Sequence, residues 1–309
     1  MRLAAPDTDG AGRADQDYGA AIDLSGPRWD RLTGIDGKGD VFARDLYALE
    51  GWASLADEIG EQQAYVFAER TSLMWLRPDA FAAGTARSVL AAAEAVSFRP
   101  VAARPVRLER CGVRALWAYM CRWATGERLM LLDALAALGP GLLVVWAGGT
   151  GASRAAGGEP VSVRMTRLKG RNDASRREEV SLRAVAGSPN RALTMLHTAD
   201  DPADVVRELA VFCDRVERAE LIRQASTHLA GAQRAAVEEA VRAVEAEVPP
   251  LGLPSPEPAS RTVRARDLFA GPVQARWAAL VAASHAWPLL TRTPQAAFWP
   301  EQETRSPWT

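Results

Sequence analysis

Residues 129–149 read LMLLDALAALGPGLLVVWAGG, and this stretch decides between a membrane segment and the core of a globular fold. It carries one charge, Asp133, and is long enough to cross a bilayer as a helix. The central Gly139-Pro140-Gly141 divides it, because glycine and proline interrupt helices. We therefore predict a helix over 129–138 and a buried strand over 142–146, each too short to span a membrane.

The composition around this stretch is that of a globular protein. The 309 residues are 48% hydrophobic and 24% charged, which suits one large domain or two smaller ones. Thirty-seven Lys and Arg residues against 38 Asp and Glu give a net charge of −1, so no general attraction to nucleic acid is expected. Cys111, Cys121 and Cys213 are too far apart for a thiolate metal cage or a disulfide framework. The first residues lack an apolar leader, so we expect a cytoplasmic protein that binds neither membranes nor nucleic acids.

The two ends of the chain differ from its middle. Residues 1–43 mix Gly, Asp, Arg and Pro, which predicts a flexible lead-in. In 44–68, apolar residues recur every three or four positions from Asp45 to Ile59, the pattern of an amphipathic helix packed on the core. Residues 217–309 are predicted to be a helical extension with a Pro-rich linker. Its parts are a long amphipathic helix over 221–248 ended by Pro249-Pro250, the linker over 250–258, and a last helix over 268–290.

The middle, residues 69–216, alternates between strand and helix patterns. The predicted strands are 72–76, 101–108, 142–146 and 192–197. The predicted helices are 86–96, 112–138 and a helix from Asp201, with Pro202 in its first turn, to about Val216. The polar stretch 164–183 is predicted to be a basic loop. This order indicates an α+β sandwich with helices against one face of a sheet, although a doubly wound parallel sheet has a similar pattern.

Histidine is scarce enough for each residue to be weighed separately. His228 lies in the predicted long amphipathic helix and His285 in an Ala-rich apolar helix that ends at Pro288, and both are interpreted as ordinary surface or core histidines. His197 ends a predicted strand just before a helix N-terminus, where backbone N–H groups and the helix dipole favour an anion. A histidine at a strand end is more often structural, and a solvated basic loop would account equally well for the arginines before it. Those basic residues, whose guanidinium forks match phosphate oxygens, are Arg164, Arg167, Lys169, Arg171, Arg176, Arg177 and Arg183.

Several segments, in order, resemble the nucleoside diphosphate kinase family. Glu69-Arg70-Thr71, an apolar strand and Arg77-Pro78-Asp79 resemble the family's opening. Residues 142–148 are similar to its central strand. Leu196-His197-Thr198-Ala199-Asp200, followed by Arg207-Glu208-Leu209, resembles the end of the family domain, which carries the catalytic histidine. The resemblance spans about Glu69 to Asp214 and implies a ferredoxin-like βαββαβ antiparallel sheet core, here with added helices at both ends.

The resemblance also implies a reaction. A histidine takes the γ-phosphoryl group of a nucleoside triphosphate and passes it to a nucleoside diphosphate. His197 matches this nucleophile, and Glu208 matches the glutamate that orients it. Magnesium is expected to arrive with the nucleotide rather than in a protein cage. The residues that match nucleotide- and phosphate-binding positions are Arg77, Tyr119, Arg167, Asn172, Arg183 and Thr194.

The chain departs from the family pattern around this site. Arg77 stands in place of a lysine, Thr194 of an asparagine, and Ala199 of a serine that supports the glutamate. Further departures are Asn172 for a threonine, Thr198 for a glycine, and Leu129 or Met130 for the phenylalanine that stacks on the base. The alternative function is therefore a nucleotide-binding or regulatory module with little or no turnover, and a third reading is that only the fold is shared. The family forms oligomers, and the terminal helices here are compatible with a homo-oligomer or with a protein partner.

Overall fold

The computed structural model describes residues 26–121, 124–148, 158–229, 231–254 and 263–286. The strands are β1 (Thr71–Leu76), β2 (Arg99–Val106), β3 (Gly141–Ala147) and β4 (Leu196–Thr198). The helices before β2 are α1 (Lys38–Phe42), α2 (Leu46–Ile59), α3 (Glu61–Arg70), α4 (Pro78–Ala82) and α5 (Ala86–Ala95). Those between β2 and β4 are α6 (Arg110–Leu116), α7 (Ala118–Cys121), α8 (Gly126–Leu138), α9 (Val161–Lys169) and α10 (Leu182–Val185). Those after β4 are α11 (Pro202–Phe212), α12 (Arg215–Thr227), α13 (Arg234–Glu247), α14 (Ala265–Phe269) and α15 (Val273–Ala286).

The four strands form one antiparallel sheet in the order β2-β3-β1-β4. β1 lies between β3 and β4, with Thr71 opposite Ala147 and Trp75 opposite His197. Helices connect β1 to β2 and β3 to β4, so the order is that of a ferredoxin-like βαββαβ core. The α+β class with added helices at both ends is confirmed, and the antiparallel pairing excludes the doubly wound parallel sheet.

Residues 129–147 fold as most of α8, a break at Gly139-Pro140, and β3. Every residue of β3 is buried. The first residue of β3 is Gly141. Glycine fits at this position because a side chain would collide with the Trp75 indole and the Leu76 carbonyl. Among the described residues, no helix has both the length and the apolarity that crossing a membrane requires.

Helices cover both faces of the sheet, whereas the sequence pattern predicted helices on one. Leu73 and Trp75 of β1 belong to the core shared with α2, α3, α11 and α12. Met74 and Leu76 point to the opposite core, which α5, α8, α9, α13 and α15 complete. Because both faces are covered, β1 is buried along its whole length and shows a continuous apolar run rather than alternation.

The described part of the predicted lead-in packs into the fold. Trp29, Leu32 and Phe42 are buried, and the Trp29 and Phe42 rings meet edge to face at 5.8 Å. The Leu32 carbonyl accepts a hydrogen bond from Ala203 N, at the start of α11, at 3.1 Å. These isolated apolar residues carry no periodicity, so only the tertiary structure shows that they join the core.

Several predicted elements differ in extent. The helix predicted over 112–138 is three helices, and the helix predicted over 221–248 ends at Thr227 and resumes at Arg234. The stretch predicted to be a basic loop begins within α9, because Val161 and Met165 bury one face of that helix against the sheet. The last helix is preceded by the short α14, and residues 255–258 at the end of the predicted linker lie outside the described residues.

Candidate functional site

His197 occupies the middle of the short strand β4. It lies opposite Trp75 of β1, and cross-strand partners face the same side of a sheet, so His197 faces the layer that contains α11. The backbone enters β4 through a tight turn at Met195, which has φ of 63°, and Leu196 N donates to the Thr194 carbonyl at 2.7 Å. A non-glycine residue seldom adopts this conformation, so the surroundings must hold it in place.

Glu208 meets the imidazole from α11. Asp201 caps this helix by accepting a hydrogen bond from Asp204 N, and Pro202 occupies the first turn. Glu208 therefore lies about two turns into the helix, and its Oε1 is 2.8 Å from His197 Nε2. The side chains are 15% and 6% exposed, so the pair is screened from solvent but the histidine remains accessible.

The protein environment perturbs this pair. Burial raises the pKa of Glu208, and the neighbouring His197 opposes that change, while Asp204 and Asp200 reinforce it. The second carboxylate oxygen, Glu208 Oε2, is buried and has no hydrogen-bond partner among the described residues. Ala199 at the position of the family's serine offers no hydroxyl to this oxygen. Among the described residues, the Glu208 carboxylate thus has one side-chain partner, the His197 imidazole.

Trp117 is a site residue that sequence reasoning missed. Its ring meets the His197 ring edge to face at 5.9 Å, just after the end of α6. It also lies 6.1 Å from the Trp75 ring, so it links the histidine to the core. Tryptophan in an apolar segment is expected in any core, and no motif distinguished this one. Its position restricts how the imidazole can rotate.

Arg77 lies beneath the turn at Met195 and is almost fully buried. Its guanidinium donates to both oxygens of Asp79, at 3.1 and 2.9 Å, to Thr194 Oγ1 and to the Ala192 carbonyl. Four of its five N–H donors therefore have protein partners. Thr194 accepts from Arg77 through the same hydroxyl that was predicted to serve the nucleotide. Both residues adjoin the histidine turn, and their contacts with phosphate remain predictions.

Arg183 and Asn172 lie together along the segment that follows α9. Arg183, in the short helix α10, is buried and donates to the Gly170 carbonyl at 2.6 Å. The Asn172 carbonyl accepts from Arg177 at 3.1 Å, and its side-chain Oδ1 is buried without a partner among the described residues. Arg177 thus holds this segment through a hydrogen bond to the segment's own backbone.

Tyr119 and Arg167 have partners elsewhere. Tyr119 donates to Asp45 Oδ2 at 2.6 Å, beside the buried guanidinium of Arg207, which also pairs with Asp45. Arg167 is exposed on α9 and forms an ion pair with Glu159. The structure therefore places His197 in contact with Glu208 and puts Arg77 and Thr194 at the turn before β4, whereas Tyr119 binds Asp45 and Arg167 pairs with Glu159.

Arg128 is a second residue that the sequence did not single out. It lies near the start of α8, half-buried, and no ion pair joins it to a carboxylate in the described ranges. Burial lowers its pKa, Cys121 opposes this effect, and the charges of Arg191 and Arg77 lower it further. Arg77 and Arg191 are themselves paired with Asp79 and Asp173, so Arg128 is the member of this group that could meet an anion without first breaking an ion pair in the described ranges.

No protein-family model matches this sequence, and no curated protein matches it either. Solved structures of nucleoside diphosphate kinases are similar to it over 48% of the chain. That of Aquifex aeolicus is 18% identical over 97% of its own length, with a TM-score of 0.39. A nucleoside diphosphate kinase family protein from Babesia bovis is 16% identical over 90% of its length, with a TM-score of 0.38. The enzyme from Pyrobaculum aerophilum is 15% identical over 97%, with a TM-score of 0.34.

Proposed function

We propose that this chain is a nucleoside diphosphate kinase-like phosphotransferase that moves a γ-phosphoryl group through a phosphohistidine at His197. The observation that carries the proposal is the contact of 2.8 Å between His197 Nε2 and Glu208 Oε1. A buried carboxylate that accepts a hydrogen bond from Nε2–H selects the tautomer with a lone pair on Nδ1. Nδ1 is then the nucleophile.

The two half-reactions balance on these atoms. The Nδ1 lone pair forms a bond to the γ-phosphorus while the bond from phosphorus to the bridging oxygen breaks, and its electrons leave with the diphosphate. The ring becomes positively charged, and Glu208 stabilises it through the Nε2 proton. In the second half-reaction a nucleoside diphosphate oxygen attacks phosphorus, and the electrons of the N–P bond return to Nδ1.

Positioning and charge supply most of the catalysis in such a transfer. Arg77 lies at the turn that precedes the histidine, and we assign the neutralisation of phosphate charge to it together with Arg183 and Arg128. Magnesium enters with the nucleotide as part of the substrate, and nucleoside di- and triphosphates are the proposed partners. Among the described carboxylates near His197, Asp201 pairs with Lys38, Asp200 with Lys169 and Glu208 with the histidine itself.

The experiment is a labelling chase. Purified protein is incubated with γ-labelled ATP and magnesium and then given GDP, with His197→Ala tested in parallel. We expect acid-labile, base-stable label on the parent that moves to GDP, and none on His197→Ala. His285→Ala is the matched control, since that histidine is exposed on α15 and should leave labelling unchanged. Equal labelling of His197→Ala and the parent would refute the proposal.

A second candidate is a nucleotide-binding module without turnover. Two observations favour it. Arg77 and Tyr119 already donate hydrogen bonds to Asp79 and Asp45, and Glu208 Oε2 has no hydrogen-bond partner among the described residues. Equilibrium dialysis with labelled ATP separates the two. Saturable binding by a folded protein that never forms phosphohistidine would select this second function.

A further inference from the structure

A row of carboxylates leads from β4 to the glutamate beside His197. Asp200 and Asp201 follow the strand, Asp204 lies in the first turn of α11, and Glu208 lies one turn further on. Residues four apart on a helix are neighbours on one face, so Asp204 and Glu208 are adjacent. We call Asp200, Asp201 and Asp204 the acidic turn. Three negative charges beside a buried glutamate would drive that glutamate to take up a proton.

Two buried lysines balance the acidic turn. Lys169 of α9 lies 2.7 Å from Asp200 Oδ1. Lys38 of α1 lies 2.8 Å from Asp201 Oδ1 and 2.7 Å from Asp204 Oδ2, and its side chain is only 3% exposed. Thr33 also donates to Asp201 Oδ2, at 2.6 Å. The N-terminal segment, which lies outside the part of the chain that resembles the kinase family, thus supplies one of the two cations.

The charge balance beside the histidine depends on Lys38. With both lysines present, the acidic turn carries one excess negative charge, because Lys38 is shared between two carboxylates. Without Lys38 it would carry two. Among the described residues, His197 and Arg207 also face Glu208, and the Arg207 guanidinium is already paired with Asp45 of the α2 N-terminus.

We propose that Lys38 is a positioning residue for the His197–Glu208 pair, whose ammonium offsets Asp201 and Asp204 so that Glu208 stays ionised beside a neutral imidazole. This role rests on the proposed function, since a neutral imidazole held by an ionised glutamate is what phosphoryl transfer needs. The Lys38 ammonium lies 2.7 Å from Asp204, and Asp204 is one helical turn before Glu208. Glu208 in turn lies 2.8 Å from the His197 imidazole. At about 10 Å in a partly buried environment, one charge is worth on the order of one pH unit.

The directions of the pKa shifts agree with this geometry. Burial raises the pKa of Asp204, the neighbouring Asp201 and Asp200 add to that effect, and Lys38 opposes it. Asp204 and Asp200 in turn raise the pKa of Glu208. Removing Lys38 therefore strengthens the negative field at both members of the pair, and the pair should take up its proton at higher pH.

The test is an NMR pH titration of the imidazole signals in the full chain without nucleotide. Only His197, His228 and His285 contribute, and the signal lost in His197→Gln identifies the site. We expect Lys38→Met to raise the His197 midpoint by about one pH unit and Asp204→Asn to lower it. The double variant should return close to the parent, because it removes one charge of each sign. Arg87→Met, which breaks pairs with Glu238 and Glu245 at α13 against the opposite face of the sheet, should cause no shift.

The outcomes are distinct. The inference would be overturned if folded Lys38→Met left the His197 midpoint unchanged, or if the double variant shifted that midpoint as much as Lys38→Met does. Either result would leave Lys38 as a packing residue. If Lys38→Met does not fold, the downward shift of Asp204→Asn and its reversal in the double variant carry the same test. A chain that shows these shifts but transfers no phosphate would reject the proposed function and keep the electrostatic role. In an active chain, the acid limb of the labelling rate should move with the NMR midpoint.

Discussion

The side chains of Arg77 and Asp79, two residues apart, form a buried two-pronged ion pair beneath the turn that leads into β4. Arg77 Nε lies 3.1 Å from Asp79 Oδ1, and Arg77 Nη2 lies 2.9 Å from Asp79 Oδ2. The same Oδ2 accepts from Met195 N at 3.2 Å, and Arg77 N donates to the Met195 carbonyl at 3.0 Å. The pair therefore holds the left-handed residue that precedes His197 by two positions.

Breaking this pair should destabilise the fold. Arg77→Met leaves the Asp79 carboxylate fully buried without its cation, and we expect the free energy of unfolding to fall by about 3–5 kcal/mol. Arg77→Met/Asp79→Asn removes both charges and should recover much of that loss. Urea unfolding followed by tryptophan fluorescence measures both. Stability equal to the parent in the single variant would show that the pair does not support the turn.

Replacing Glu208 should slow phosphorylation of His197. The amide of Glu208→Gln carries no charge to stabilise the ring cation, so we expect the single-turnover rate to fall about 100-fold or more. Glu239→Gln is the control, because Glu239 is exposed on α13. Rates that match in the two variants would remove Glu208 from the mechanism.

Giving Glu208 a second partner should have the opposite effect. Ala199 is buried beside β4 where the resembled family has a supporting serine, and Glu208 Oε2 is buried without a partner among the described residues. A hydroxyl that donates to Oε2 favours the ionised carboxylate. We expect Ala199→Ser to increase the single-turnover rate by about 2- to 10-fold, the equivalent of one ordinary hydrogen bond. Ala199→Val, which adds volume without a donor, should give no increase, and a gain in that variant would contradict the explanation.

Labelling should depend on pH with a definite sign. Transfer needs ionised Glu208 and neutral His197, and burial raises the pKa of Glu208 above its ordinary 4.5. Activity is therefore present on the alkaline side and is lost as the pH falls and the pair takes up a proton. Initial rates of labelling between about pH 4 and 9 measure this limb. A rate that increases toward low pH would exclude a neutral histidine nucleophile.

Much of the architecture follows from local patterns. The β1 and β3 runs, the break at Gly139-Pro140 and the Asp201–Pro202 start of α11 were predicted because each depends on neighbouring residues. The long helix predicted over 221–248 was wrong in extent. The apolar periodicity continues across the gap between α12 and α13, although the helical backbone does not. Apolar periodicity reports which residues are buried and not whether the backbone is hydrogen-bonded as a helix.

Part of the candidate site also follows from the sequence, and the rest depends on the tertiary structure. The sequence by itself determined the strand-then-helix order that brings His197 and Glu208 within reach, because 11 residues link them through one turn. Only the tertiary structure decided that Trp117 meets the imidazole, that Arg77 is committed to Asp79 and Thr194, and that Lys38 closes on Asp201 across 163 residues of chain. The physical reason is that these contacts depend on how layers pack against the sheet, and burial then sets the strength of each charge.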